Sequence, residues 1–108
     1  MMVLTVVDES PARRPGDVLE IDAEWTLDAA PSVCESRLIW YTEGRAVPEV
    51  HVVETQEARP TERGTHRFQF TLPEWPYSYS GKLFSIRWAV EVVLDDEDAR
   101  WEFTLRPD

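Results

Sequence analysis

Residues 81–95 read GKLFSIRWAVEVVLD. From Phe84 onward every second residue is apolar (Phe84, Ile86, Trp88, Val90, Val92, Leu94), while Arg87 and Glu91 occupy the alternate parity. A period of two over this length is that of a β-strand with one face in a core and the other toward water. At roughly 3.3 Å per residue, such a strand crosses the height of a small domain. Downstream, Asp96, Glu97 and Asp98 form a tight turn, and RWEFTL (100–105) returns with Trp101, Phe103 and Leu105 inward, so the two strands are expected to form an antiparallel hairpin.

The same alternation recurs upstream. Leu19, Ile21, Ala23, Trp25 and Leu27 share one face of a strand over 18–27 whose other face carries Glu20, Asp22, Glu24 and Thr26. Phe68, Phe70 and Leu72 alternate with Arg67, Gln69 and Thr71 over 65–72. Val3–Val7 is β-branched on both parities, as befits a first strand. SRLIWYTEG (36–44) is apolar on both faces and reads as a central strand, whereas Val47–Thr55, with Pro48 near its start, reads as an edge. Pro15-Gly16, Pro31, Gly44, Gly64 and the segment PEWPYSYSG mark the turns. Seven strands, turn signals between them and no helical period predict an all-β, seven-stranded antiparallel Greek-key β-sandwich of immunoglobulin-like type, with residues 1–108 as a single domain. Five tryptophans are then first of all packing material, Trp88 and Trp101 among them.

The 108 residues carry 21 acidic and 11 basic side chains, a net charge of -10. Residues 1–54 hold eleven acids and four bases, residues 55–108 ten and seven. A surface this negative repels phosphate backbones, and no basic stripe offsets it, so nucleic acid and anionic membranes are not expected partners. The apolar runs are far shorter than the ~20 residues of a membrane span, and the start MMVLTVVDES has no basic n-region, which together predict a soluble chain without an export signal. The single cysteine, Cys34, allows no internal disulfide and points to the reducing cytoplasm.

The sequence predicts no enzyme, no cofactor and no metal. His51 and His66, the only histidines, read as outward-facing on different strands, and Cys34 lies in a loop without a CxxC or HxxxH companion. No GxSxG elbow accompanies a serine. The acidic run Asp95–Asp98 invites a calcium ion but lacks the glycine and distant glutamate of an EF-hand loop, and reads as a solvated hairpin tip. Glu20, Asp22 and Glu24 line one strand face and read as a soluble surface rather than an acid–base pair.

The best candidate site is the corner LPEWPYSYSG (72–81), where Trp75, Tyr77 and Tyr79 stand among prolines in a loop; aromatics on a rigid loop serve as binding anchors. The competing expectation is that they fold back to cap the sandwich. Ile39 and Tyr41, with Val53, would form a second, apolar patch if their sheet face is uncovered, inviting a partner protein or a second copy. The expected function is therefore protein binding or scaffolding, with another protein or a second copy in a homodimer as the partner; the alternative is a small-ligand or carbohydrate module stacking its ligand on Trp75, Tyr77 and Tyr79.

Two segments share a likeness. RRPGDVLEIDAEW (13–25) resembles the early strand of arrestin-fold domains, where a Pro-Gly-acid turn opens a strand. FTLPEWPYSYSGKLFSIRWAVEVVL (70–94) resembles their later signature: a Leu-Pro, a Pro followed by Ser or Tyr, a Gly, and a long strand centred on Ile-x-Trp, here Ile86 and Trp88. The glycine usual a few residues after the first turn is absent, and the chain has room for one sandwich where arrestin-type proteins generally have two. The resemblance implies an arrestin-like sandwich and a scaffolding role, and transfers no catalytic residue.

Overall fold

A computed structural model describes residues 1–44, 47–95 and 97–107. The elements are β1 (Met2–Val6), β2 (Ala12–Arg13), β3 (Val18–Thr26), β4 (Glu35–Glu43), β5 (Val50–Glu57), β6 (Arg63–Thr71), β7 (Tyr79–Ser80), β8 (Ser85–Leu94) and β9 (Glu97–Leu105). The fold is all-β. Nine strands are described rather than seven, because the two-residue strands β2 and β7 are too short to leave a period in the sequence.

One sheet has the order β1-β3-β6 and the other β2-β9-β8-β4-β5, with β7 pairing β8. The central strands are those with the clearest apolar rows. In β3, Leu19, Ile21, Ala23 and Trp25 are buried, and in β8 so are Trp88, Val90, Val92 and Leu94. Phe68 and Phe70 of β6, Leu38 of β4, and Phe103 and Leu105 of β9 complete a shared core, so the two sheets are packed face to face. Each large side chain buried this way contributes roughly 1.5–3 kcal/mol by area.

The turn before β3 shows how local chemistry sets an entry. The Asp17 N–H donates to the Arg14 carbonyl at 3.1 Å around Pro15 and Gly16, and Gly16 has a φ of 87°. Proline followed by a left-handed residue is the type II turn, which glycine adopts without steric cost. The Asp17 carboxylate accepts from the Arg14 N–H at 2.9 Å and closes it.

The structure moves several boundaries. β8 begins at Ser85, so Phe84 precedes it, half-buried. Glu97 and Asp98 belong to β9, with Glu97 opposite Leu94 and Asp98 opposite Val93, and are not part of the turn. Of the acidic run, Asp96 lies outside the described residues. Asp95, at a φ of 53°, accepts from the backbone N–H groups of Ser32 (3.0 Å) and Val33 (2.8 Å). Its carboxylate thus pins the 28–34 loop to the β8 end instead of standing free for a cation. Among the described residues no helix is long and apolar enough to cross a membrane.

Candidate functional site

A row of aromatic side chains runs across the inner face of the larger sheet. Phe103 of β9 faces Trp88 of β8, Trp88 faces Trp40 of β4, and Trp40 faces His51 of β5. Burial falls along the row. Phe103 and Trp88 are in the core, Trp40 is half-buried and His51 exposed. The His51 ring stacks on Trp40 at 4.0 Å with 13° between planes. The smaller sheet has three strands, and the row ends beyond its cover.

The 72–81 corner is fastened onto this row. The Trp88 Nε1–H donates to the Pro76 carbonyl at 2.7 Å, a buried bond. The Trp75 ring meets Trp40 edge-on at 6.0 Å, and the Trp75-Pro76 peptide is cis. Further on, the Ser78 N–H donates to the Leu105 carbonyl, and Ser78 Oγ accepts from the Leu105 N–H at 2.9 Å. Pro76 is therefore buried and Ser78 half-buried, while the alternate residues point away: Trp75 is 71 % exposed, Tyr77 40 % and Tyr79 51 %. The corner does not cap the sandwich with its aromatics; Pro76 fills that place. Tyr79 packs against Phe84 at 5.3 Å and lies over Gly81, where a Cβ would meet its hydroxyl oxygen at 2.5 Å.

The second expected patch is corrected. Ile39 is fully buried and so is Ala89 opposite it, although both face away from the core. Their cover is a layer of charged and aromatic side chains on the outer face. Arg100 lies 5.2 Å over the Tyr41 ring and bonds Glu91 at 3.2 Å. Arg37 bridges Glu35 (2.5 Å) and Glu91 (3.9 Å), and the Tyr41 hydroxyl donates to Glu102 at 2.8 Å. Aliphatic stems of such residues cover apolar surface while their heads stay wet. Burial, first, and the Glu102 bond push the Tyr41 hydroxyl above its ordinary pKa. Tyr41 is thus half-buried and engaged, and what remains open beside it is Val50 and Val52 of β5. Val53 is exposed too, as the extra residue of a bulge: Leu38 faces Glu54 and Ile39 faces Val52.

The acidic face of β3 is held by Arg67. Its guanidinium bonds both Asp22 oxygens, at 2.7 and 2.9 Å, and Glu20 at 3.1 Å. The Arg67 hydrogen bond, the largest cause, holds Asp22 below its ordinary value of 3.8. A group depressed in the folded state contributes stability above its unfolded pKa and loses it as pH falls through the lower folded value. Asp22→Asn is accordingly expected to melt below the parent protein near neutrality, with the gap closing once the pH drops beneath 3.8; a gap constant with pH in paired thermal melts would contradict this.

Cys34 is buried, and burial raises its thiol pKa, which suppresses the reactive thiolate. His51 lies 3.3 Å from Glu49, and His66 contacts Phe68 at 4.6 Å; both histidines are exposed, but contrary to the outward reading they stand on the core-facing parity, opposite Trp40 and Ala23, past the edge of the packed core. Among the described residues no group of three or more His, Cys, Asp or Glu side chains is placed to hold a metal ion. The sequence singled out the corner, but Trp40 and His51 as its support were missed. Trp40 sits on the core parity of its strand, and nothing local tells that its neighbour across the sheet is His51.

No known protein family matches the chain, and no curated protein matches it by sequence. Among solved structures, the sporulation control protein Spo0M of Bacillus subtilis is similar in fold over 97 % of this chain and 48 % of that one, with a TM-score of 0.64 and 11 % identity. The chain therefore spans about half of that protein. A β-glucosidase from Listeria innocua matches at a TM-score of 0.46 and 14 % identity, over 97 % of this chain and 16 % of the enzyme. The alkylpurine DNA glycosylase AlkC of Pseudomonas fluorescens matches at 0.44 and 15 %, over 97 % and 30 %.

Proposed function

We propose that this chain is a non-enzymatic, arrestin-like Greek-key sandwich that recognises another protein through the corner bearing Trp75 and Tyr77. One observation carries the reading: Trp75 is 71 % exposed on a backbone bonded to the core through Pro76 and Trp88. A large aromatic held open on a rigid support loses little freedom when a partner covers it, which is the property of an interface anchor. The arrestin-like part of the reading is supported by the two sequence segments named above. The test is partner capture with Trp75→Ala and Tyr77→Ala together.

A second reading follows from a cleft of about 400 Å³ beside the corner, lined by Tyr79, Arg87, Glu102, Phe103 and Arg106 among others. This lies within the size range of small-molecule sites, and its mixed charges suit a polar ligand such as a sugar. Saturable quenching of tryptophan fluorescence by glycans, abolished by Tyr79→Ala, would favour it over protein binding.

A further inference from the structure

We infer that the free edge of β5 is a docking strand for an extended, lysine- or arginine-bearing segment of another protein, laid alongside Val50–Val52 next to Trp75. The inference rests on the protein-binding reading of the corner and gives the partner a chemistry. β5 ends the strand order of its sheet, and seven of its eight residues are exposed. Among the described residues no strand pairs its outer side. The neighbouring edge of β6 is treated differently: the Gln56 side chain accepts from the Gln69 N–H at 3.2 Å and donates to the Gln69 carbonyl, occupying the groups a docking strand would need.

Exposed edges are commonly guarded by lysine or proline. β5 carries neither. Its guard is the bulge at Val53, which leaves Val50–Val52 as a regular stretch beside the Trp40 and His51 stack. Residues 47–58 contain Glu49, Glu54 and Glu57 and no lysine or arginine, and the 72–81 corner adds Glu74. A strand added here gains main-chain hydrogen bonds, pairs apolar side chains with Val50 and Val52, and sets basic ones against Glu49 and Glu54 on the face of His51. A second copy is the poorer occupant. It brings its own net charge of -10, so two acidic surfaces would have to meet.

The probe is a capped synthetic peptide alternating lysine with valine, compared with its glutamate–valine analogue, titrated into the isotope-labelled protein and followed by backbone amide shifts. The inference predicts saturable shifts centred on residues 50–57 with the lysine peptide alone. It predicts affinity reduced about tenfold or more by Glu49→Lys with Glu54→Lys, exposed residues on the face of His51, since two exposed attractions become repulsions. Glu9→Lys with Asp28→Lys, which changes net charge equally at exposed sites elsewhere, is expected to leave the affinity within about threefold if local contacts and not the mean field dominate. Equal loss in both variants, equal binding of both peptides, shifts centred elsewhere, or a dimer in sedimentation that Glu54→Lys alters would each overturn it. Partner loss through Trp75→Ala and Tyr77→Ala alone would, in those cases, leave the corner reading standing.

Discussion

Trp88→Ala is expected to lower the melting midpoint by at least ~12 °C. Removing a fully buried large aromatic costs about 3–5 kcal/mol through lost burial and the cavity left behind, and each kcal/mol is worth about 4–8 °C in a domain near this size. Trp88 is completely buried, faces Phe103 on one side and Trp40 on the other, and supplies the Pro76 hydrogen bond. Its loss therefore reaches both the core and the corner. Trp88→Phe separates the two: it keeps most of the volume but leaves the Pro76 carbonyl without its donor, a penalty of about 1–3 kcal/mol. Calorimetry on both variants checks the prediction, and a Trp88→Ala midpoint within a few degrees of the parent would contradict it.

Trp75→Ala combined with Tyr77→Ala is expected to abolish partner capture while changing stability by less than ~1 kcal/mol. Exposed substitutions away from caps and networks shift stability by about half a kcal/mol each, and both rings point away from the core. Binding anchors of this type cost 2 kcal/mol or more when truncated, about 30-fold in affinity. The contrast is the diagnostic. A double variant that melts many degrees lower yet still captures its partner would show the rings to be packing, with the binding surface elsewhere.

The legible and illegible parts of this fold divide along a physical line. Strand identity is written locally, because alternation and turn chemistry involve neighbours in sequence: Leu19, Ile21, Ala23 and Trp25 in one row, or Pro15-Gly16 at a turn. Across-sheet pairing is not local. That Trp40 would stand between Trp88 and His51 depends on strand order, and the bulge at Val53 shifts the β5 register by one residue. Ile39 shows a second limit. Its parity correctly sets it on the outer face, but outward is not exposed when Tyr41, Arg37 and Arg100 fold over it. Asp95 shows a third, since its task is a bond to Ser32 and Val33 in a loop about sixty residues away. The corner aromatics were legible as candidates because prolines on both sides of Trp75 argue against a core strand; their outward direction follows from Pro76 and Ser78 taking the inward positions.

The central claim is that the corner is held by the core without belonging to it, and exchange of the indole N–H groups with solvent tests this most directly. The Trp88 Nε1–H, buried and bonded to Pro76, is predicted to exchange only through global unfolding, and the Trp25 Nε1–H, bonded to Thr61, slowly. The Trp75 Nε1–H is predicted to exchange at the rate of a free indole. Protection of Trp75 comparable to that of Trp88 would contradict the account.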